Sequence, residues 1–228
     1  MESSSNDRLI TTQDGTHTLY HSVLNQHYHS LQGSLQESMH IFIQLGLIPF
    51  LEAFKEEQKT VRVFEMGFGT GLNALLTWKF AENYQSSVAY TGVEAYPISE
   101  NETQVLNFGE IIHFNKLDQL HGAEWGIPTD LSDVFKFTKH HSTLHELELN
   151  EKFDLIYYDA FAPEAQPELW TEEIFRKLGN TLSPGGVLVT YSSKGIVRRA
   201  LQAAGFRIEK HPGPGRKREI VKAIYVGF

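Results

Sequence analysis

The stretch FEMGFGTGLN, residues 64 to 73, decides how the chain is read. Gly67, Gly69 and Gly71 alternate directly after the apolar run TVRVFEM and directly before LNALLTWKFAENY, which has a helical period. A strand, a glycine turn and a helix in that order set backbone N–H groups and a helix N-terminus at the carboxyl end of a sheet. Glycine suits such a turn because a ligand approaches the backbone closely and some positions need positive φ. The dinucleotide fingerprint G-x-G-x-x-G fails, since its third glycine falls on Leu72. A phosphate-binding P-loop needs Gly-Lys-Ser/Thr where Asn73-Ala74 stand. The form present is E-x-G-x-G-x-G, with Glu65 at the end of the strand. A carboxylate there repels phosphate and suits an amino group or a positive centre.

The next strand-like run, SVAYTGVEAYP, ends at Glu94, whose carboxylate can accept hydrogen bonds from two ribose hydroxyls. A nucleoside with an amino-acid tail and no phosphate fits both acids, which points to S-adenosyl-L-methionine. Further on, YYDAFAPEAQPELW sets Asp159 at the carboxyl end of a buried-type strand, where open α/β sheets hold ligands. Pro163 and Pro167 stiffen that loop, and Tyr157, Tyr158, Phe161 and Trp170 surround it with rings. Methyl transfer is an in-line displacement at a sulfonium carbon. Aromatic faces tolerate that cation, and the enzyme's main task is aligning the acceptor. An amine acceptor must be neutral and must shed a proton, so Asp159 is the candidate catalytic carboxylate.

The 228 residues allow one large domain with a small extension. Fifteen Phe and nine Tyr argue against general disorder. No apolar window is long enough to span a membrane, and the N-terminus lacks the order of a signal peptide. The absence of cysteine excludes disulfides and thiolate chemistry and is compatible with the cytoplasm. The net charge of −8 makes the chain a poor general nucleic-acid binder. Lys194 to Lys222, however, gathers nine basic residues against Glu209 and Glu219, enough for local docking of RNA. His27, His29, His140, His141 and His145 lack the spacing of a zinc enzyme, and no metal site is expected.

Asp14-Gly15 between β-rich runs predicts an N-terminal hairpin. The segment SLQESMHIFIQLGLIPFLEAF predicts a helix interrupted at Pro49. DVFKFTKHHSTLHELEL predicts a strand and then a helix. TEEIFRKLGNTLSPGG predicts an amphipathic helix closing on Pro184-Gly185-Gly186. Strands alternate with helices over residues 61 to 205, which predicts a parallel α/β sheet with helices on both faces. The last two strands lack a helix between them and are expected to pair antiparallel at one edge. The expected division is an extension over 1–58 and a methyltransferase domain over 59–228.

Together FEMGFGTGLNALLTW (64–78), YYDAFAPEAQPELWTEEIF (157–175), SPGGVLVTYSSKGIVRRALQAAGF (183–206) and GPGRKRE (213–219) resemble the methyltransferase part of the bacterial tRNA 5-methylaminomethyl-2-thiouridine biosynthesis enzymes. The resemblance covers roughly residues 60 to 227 and, more weakly, ESMHIFI (37–43). It implies a Rossmann-like, seven-stranded class I methyltransferase sheet. It implies N-methylation of the 5-aminomethyl group of the wobble (2-thio)uridine of tRNA. By the same resemblance Glu65, Gly67, Gly69, Gly71, Asn73, Glu94 and Asp159 hold the cofactor, and Asp159 lies at the reacting centre. Phe161, Lys194, Arg216, Lys217 and Arg218 face the tRNA or the pocket mouth. Many relatives carry a second, flavin-dependent oxidase domain that this sequence lacks, so a separate oxidase is an expected partner. Where the family usually shows Gly-Asp near the adenine, the sequence reads TKHHST (138–143). A polyamine aminopropyltransferase of the spermidine synthase type is the rival reading, with another small-molecule methyltransferase behind it. The basic GRKRE loop and the aromatic proline loop weigh against the aminopropyl enzyme.

Overall fold

The computed structural model describes residues 8–215 and 219–227. The expected hairpin is present: β1 (Leu9–Thr11) pairs antiparallel with β2 (His17–His21), and a short β3 (Gln26–His27) extends it to three strands. Asp14 fixes the turn, its Oδ1 accepting from the hydroxyl of Thr12 at 2.7 Å. Next comes one helical rod, not an interrupted one. Its parts are α1 (Ser34–Ser38), a π-helical stretch over Met39–Leu47 and α2 (Ile48–Lys55). Pro49 sits in the first turn of α2, and the wider π pitch before it, with Ile48 N–H bonded to Ile43 O, carries the chain through without a break. Gly46 lets this rod approach the sheet, for a Cβ there would lie 3.2 Å from Val189.

Eight strands form the main sheet, one more than expected. β4 (Val61–Met66) is central, with β5 (Val88–Glu94) and β7 (Phe135–His141) parallel on one side. β8 (Phe153–Tyr158) and β9 (Leu182–Thr190) lie parallel on the other. β11 (Glu219–Tyr225) runs antiparallel to β9, and β10 (Phe206–Pro212) pairs antiparallel with β11 at the edge, as expected. The additional strand is β6 (Thr129–Ser132), a short antiparallel strand closing the opposite edge against β7. The order is β10-β11-β9-β8-β4-β5-β7-β6. It reverses between β4 and β8, which opens a crevice at their carboxyl ends.

The two faces hold separate cores. On one, α3 (Leu72–Tyr84), the helical rod, α4 (Glu100–Gln104), α5 (Phe108–Ile111) and α6 (Leu117–Gly122) cover the sheet. Leu19, Ile41, Phe42, Leu47 and Leu51 of the N-terminal segment join the same buried cluster as Val63 and Leu75. On the other face, α7 (Glu172–Gly179) and α8 (Gly195–Ala203) bury Ile174, Phe175, Leu178, Val197 and Leu201. Thr171 caps α7, its hydroxyl accepting from Ile174 N–H.

Two local expectations are corrected. No helix follows β7: Thr143 to Glu146 make one turn, and Lys177 Nζ donates to the carbonyls of Leu144 (2.7 Å) and His145 (3.0 Å). Leu144 and Leu147 are buried, so their helical spacing reflects two anchors of a short link. Pro184-Gly185-Gly186 does not lie between α7 and a later strand. It is looped out within β9, where Leu182 pairs with Phe153 and Val187 already pairs with Leu155.

The N-terminal hairpin is latched onto the carboxyl edge of the sheet. Asn107 accepts from His17 N–H at 2.8 Å and donates to Gly15 O at 2.9 Å, and Arg8 pairs with Glu102 at 2.6 Å. The His29 ring bridges the hydroxyls of Thr18 (3.1 Å) and Thr70 (3.2 Å), tying the hairpin to the glycine turn. Burial pulls the His29 imidazole down to about 4.

Trp78 of α3 is fully buried and stacks on Phe135 with 5.4 Å between ring centroids. Trp78→Ala is expected to lower the unfolding free energy by about 3–5 kcal/mol in a denaturant titration. His29 binds a proton more readily unfolded than folded. Its contribution is therefore complete above about pH 6.5 and is lost as the pH falls through about 4. His29→Gln is expected to flatten the acid limb of a pH–stability profile, by at most about 3 kcal/mol between those limits.

Candidate active site

A cleft of about 320 Å³ opens where β4 and β8 end and the hairpin crosses above them. Gly67, Phe68, Gly69 and Thr70 form its floor, Glu94 and Tyr96 one wall, and Asp159 and Phe161 the other. The sequence-predicted Gly67, Gly69, Asn73, Glu94, Asp159 and Phe161 are thus brought together.

Gly67 has φ +89°, and a Cβ on it would lie 2.7 Å from the carbonyl oxygen of Asp159. The turn and the proline loop therefore meet backbone to backbone, which no other residue type permits. Gly69 donates its N–H to Glu94 Oε2 at 2.8 Å, and Tyr96 N–H reaches Glu94 Oε1 at 2.8 Å. Burial pushes the Glu94 carboxyl upward, and these two N–H groups pull it back. Each carboxylate oxygen keeps acceptor capacity for a hydroxyl in the cleft. Gly71 does not line the cleft. It caps α3 in the left-handed region at φ +80° and sets the helix direction.

Glu65 is placed differently from the expectation of a direct ligand contact. It is 1 % exposed, beneath the turn, and accepts from Asn73 Nδ2 at 2.9 Å. The same Nδ2 donates to Asp159 Oδ2 at 2.9 Å. Burial drives the Glu65 carboxyl well above the usual carboxylate range, against the opposing pull of the Tyr90 hydroxyl and the Asn73 amide. Lys194 stands away from the cleft: it is exposed and pairs with Glu164, tethering the proline loop to the start of α8. Arg216, Lys217 and Arg218 lie outside the described residues.

Several wall residues escaped the sequence reading. Gln26, His27, Tyr28 and His29 come from the hairpin, and Tyr191 from the end of β9. Tyr28, His21 and Phe161 form a ring cluster at the mouth, with centroids 5.1 Å apart for Tyr28–Phe161 and 5.4 Å for His21–Phe161. Burial and the nearby Glu94 charge push the Tyr28 hydroxyl up to about 12. The run HYH at 27–29 is the one visible signal, and it carries no spacing that assigns it to a turn 41 residues further along the sequence, counted from His29 to Thr70.

No Lys or Arg is among the described residues of the cleft wall. A pyrophosphate would meet carboxylates and no lining Lys or Arg. A phosphate-free nucleoside fits: Glu94 offers two oxygens to vicinal hydroxyls, and the turn offers close backbone approach. The residues present therefore suit S-adenosyl-L-methionine.

Residues 133–226 match the family model of an S-adenosyl-L-methionine-dependent methyltransferase. The tRNA 5-methylaminomethyl-2-thiouridine biosynthesis bifunctional protein MnmC of Pseudomonas fluorescens is 30 % identical over 217 residues, covering 90 % of this chain and 33 % of the relative. The protein of the same name from Leptospira borgpetersenii is 31 % identical over 215 residues, covering 88 % of this chain and 32 % of the relative. The chain thus spans about a third of the length of these curated relatives. Its fold is similar to the crystal structure of MNMC2 from Aquifex aeolicus, with a TM-score of 0.75 and 26 % identity over 95 % of this chain and 69 % of that one. In sequence and in fold the chain is thus similar to these proteins, and its matched stretch is that of an S-adenosyl-L-methionine-dependent methyltransferase.

Proposed function

We propose that the protein methylates the nitrogen of the 5-aminomethyl group on the wobble (2-thio)uridine of tRNA, in the cytoplasm. The observation that carries this reading is a carboxylate, Asp159, fixed at the crevice between β4 and β8 opposite Glu94, in a cleft with no Lys or Arg among its described residues. The names of the relatives supply the substrate class. Residues 59–228 form the methyltransferase domain, and residues 1–58 form an extension that builds one wall of its site.

When bound, S-adenosyl-L-methionine supplies an electrophilic methyl group. Glu94 would accept from the cofactor's ribose hydroxyls, and the Gly67–Gly69 backbone would hold it by close approach. Asp159 would orient the N–H of a neutral amine and take the proton it sheds as the N–C bond forms and the sulfonium S–CH3 bond breaks, the sulfur leaving as a neutral thioether. Phe161, Tyr28 and His21 offer ring faces to an unstacked base. Arg198, Arg199 and Lys210 border a groove of about 310 Å³ between α8 and β10, and Arg198 Nε is buried there without a partner. This groove takes the phosphate backbone, as do Arg216, Lys217 and Arg218, which lets an acidic protein hold RNA locally. A separate flavin-dependent oxidase supplies the free amine.

The purified protein, given S-adenosyl-L-methionine and tRNA carrying 5-aminomethyl-2-thiouridine, is expected to yield 5-methylaminomethyl-2-thiouridine by nucleoside mass spectrometry. Given putrescine and decarboxylated S-adenosylmethionine instead, transfer of the aminopropyl group to putrescine, with none of methyl to tRNA, would favour the rival enzyme. Asp159→Ala should lower turnover by about 100-fold or more with little change in calorimetric cofactor affinity. Equal losses in both would take Asp159 out of the chemistry. Arg198→Gln with Arg199→Gln should raise the KM for tRNA and reduce the salt slope of binding by about 2. An unaltered slope returns the groove to ordinary solvated surface.

A further inference from the structure

The buried side chains behind Asp159 have no role in the scheme above. Asn73 stands in the first turn of α3 and is 4 % exposed. Its amide nitrogen carries two hydrogens. One goes to Glu65 Oε1 and the other to Asp159 Oδ2, each at 2.9 Å. Glu65 comes from β4 and Asp159 directly follows β8, so one side chain joins the ends of the two strands that bound the crevice. Around the pair, Glu65 Oε2, Asn73 Oδ1 and the Tyr90 hydroxyl are buried polar atoms without a hydrogen bond of good geometry. Such atoms carry a cost of burial that a purely apolar packing would avoid. No cation forms an ion pair with Glu65 among the described residues.

We propose that Asn73 is a positioning residue for Asp159: anchored on a protonated Glu65, it holds one carboxylate oxygen of Asp159 from behind. This deepens the methyl-transfer reading and rests on it for the acceptor's identity, but the arrangement itself is a property of the protein alone. A carboxylate at this place must face the acceptor with a fixed oxygen, and Asn73 supplies that restraint without adding charge. Glu65 must be neutral for this, because a second buried negative charge would disfavour the ionised form of Asp159. Its complete burial away from any cation favours the neutral form. Asn73 thus serves the acceptor side of the site, not the cofactor side on which the sequence motif placed it.

The test is a carboxyl titration by carbon-13 NMR on the full chain without cofactor, with the Asp159 signal assigned from Asp159→Asn. Loss of a hydrogen bond to the ionised oxygen should raise the Asp159 midpoint by about one pH unit or more in both Asn73→Ala and the isosteric Asn73→Asp. In Glu65→Gln, which keeps a neutral acceptor, the midpoint should stay near wild type. In methyl-transfer assays Asn73→Ala should lower kcat by about tenfold or more while the calorimetric Kd for S-adenosyl-L-methionine stays within about threefold. An unchanged Asp159 midpoint in the Asn73 variants would overturn the proposal, as would equal losses in kcat and cofactor affinity. Should the wild type transfer no methyl to tRNA, the functional reading falls while the titration still decides the role of Asn73.

Discussion

The structure turns on one backbone contact, the approach of Gly67 to the carbonyl of Asp159. Any Cβ at Gly67 would sit 2.7 Å from that oxygen, well inside van der Waals distance. Asp159 N–H in turn bonds Met66 O at 3.0 Å, so the two loops leave the sheet still paired. Glycine at this position lets β4 and β8 end side by side and then diverge, α3 descending on one face and the proline loop turning toward the other. The cleft is the space that divergence leaves. Without the contact, Asn73 could not reach from α3 to both Glu65 and Asp159, and Gly69 could not present its N–H to Glu94.

Electrostatics then separates what the cleft holds from what it rejects. Its acids are Glu37, Glu94 and Asp159, with Glu65 beneath, and its described wall has no Lys or Arg. A diphosphate would be repelled, whereas a cationic sulfonium and an amine losing a proton are both favoured by nearby carboxylates. The basic residues of α8 and β10 are held outside, around the groove of Arg198, Arg199 and Lys210. The acidic site and the basic groove are linked through the Lys194–Glu164 ion pair, which joins the proline loop to the helix that carries the arginines.

Much of this could be read from the chain before any coordinates, because the signals were local. The glycine turn, the acid closing each strand and the antiparallel end pair each sit within one strand–loop unit. What could not be read depended on long-range packing. The hairpin carries Tyr28 and His29 to the glycine turn through contacts with Asn107, Glu102 and Thr70, none of which has a sequence pattern. Glu65 looked like a ligand-facing acid because it ends a strand. Strand alternation turns its side chain beneath the turn, and only Asn73 connects it to the cleft. Pro49 looked like a break because helix rules assume an α pitch, and the π-helical stretch upstream removes that assumption. Leu144 and Leu147 looked helical because two buried anchors three residues apart mimic one turn of a face.

The extension also explains how a sheet shared by many enzymes can become selective. A bare crevice of this kind is open on its upper side, and the fold alone does not choose an acceptor. Here the hairpin closes that side with Tyr28, whose ring a Cβ on Gly69 would meet at 3.1 Å, and sets it against Phe161 of the proline loop. The mouth is therefore built half by the N-terminal segment and half by the loop that bears Asp159. A ring entering between them meets aromatic faces on both sides before its substituent reaches the carboxylate. That order suits a flat ring carrying a short amine arm better than a flexible polyamine, which has no face to stack.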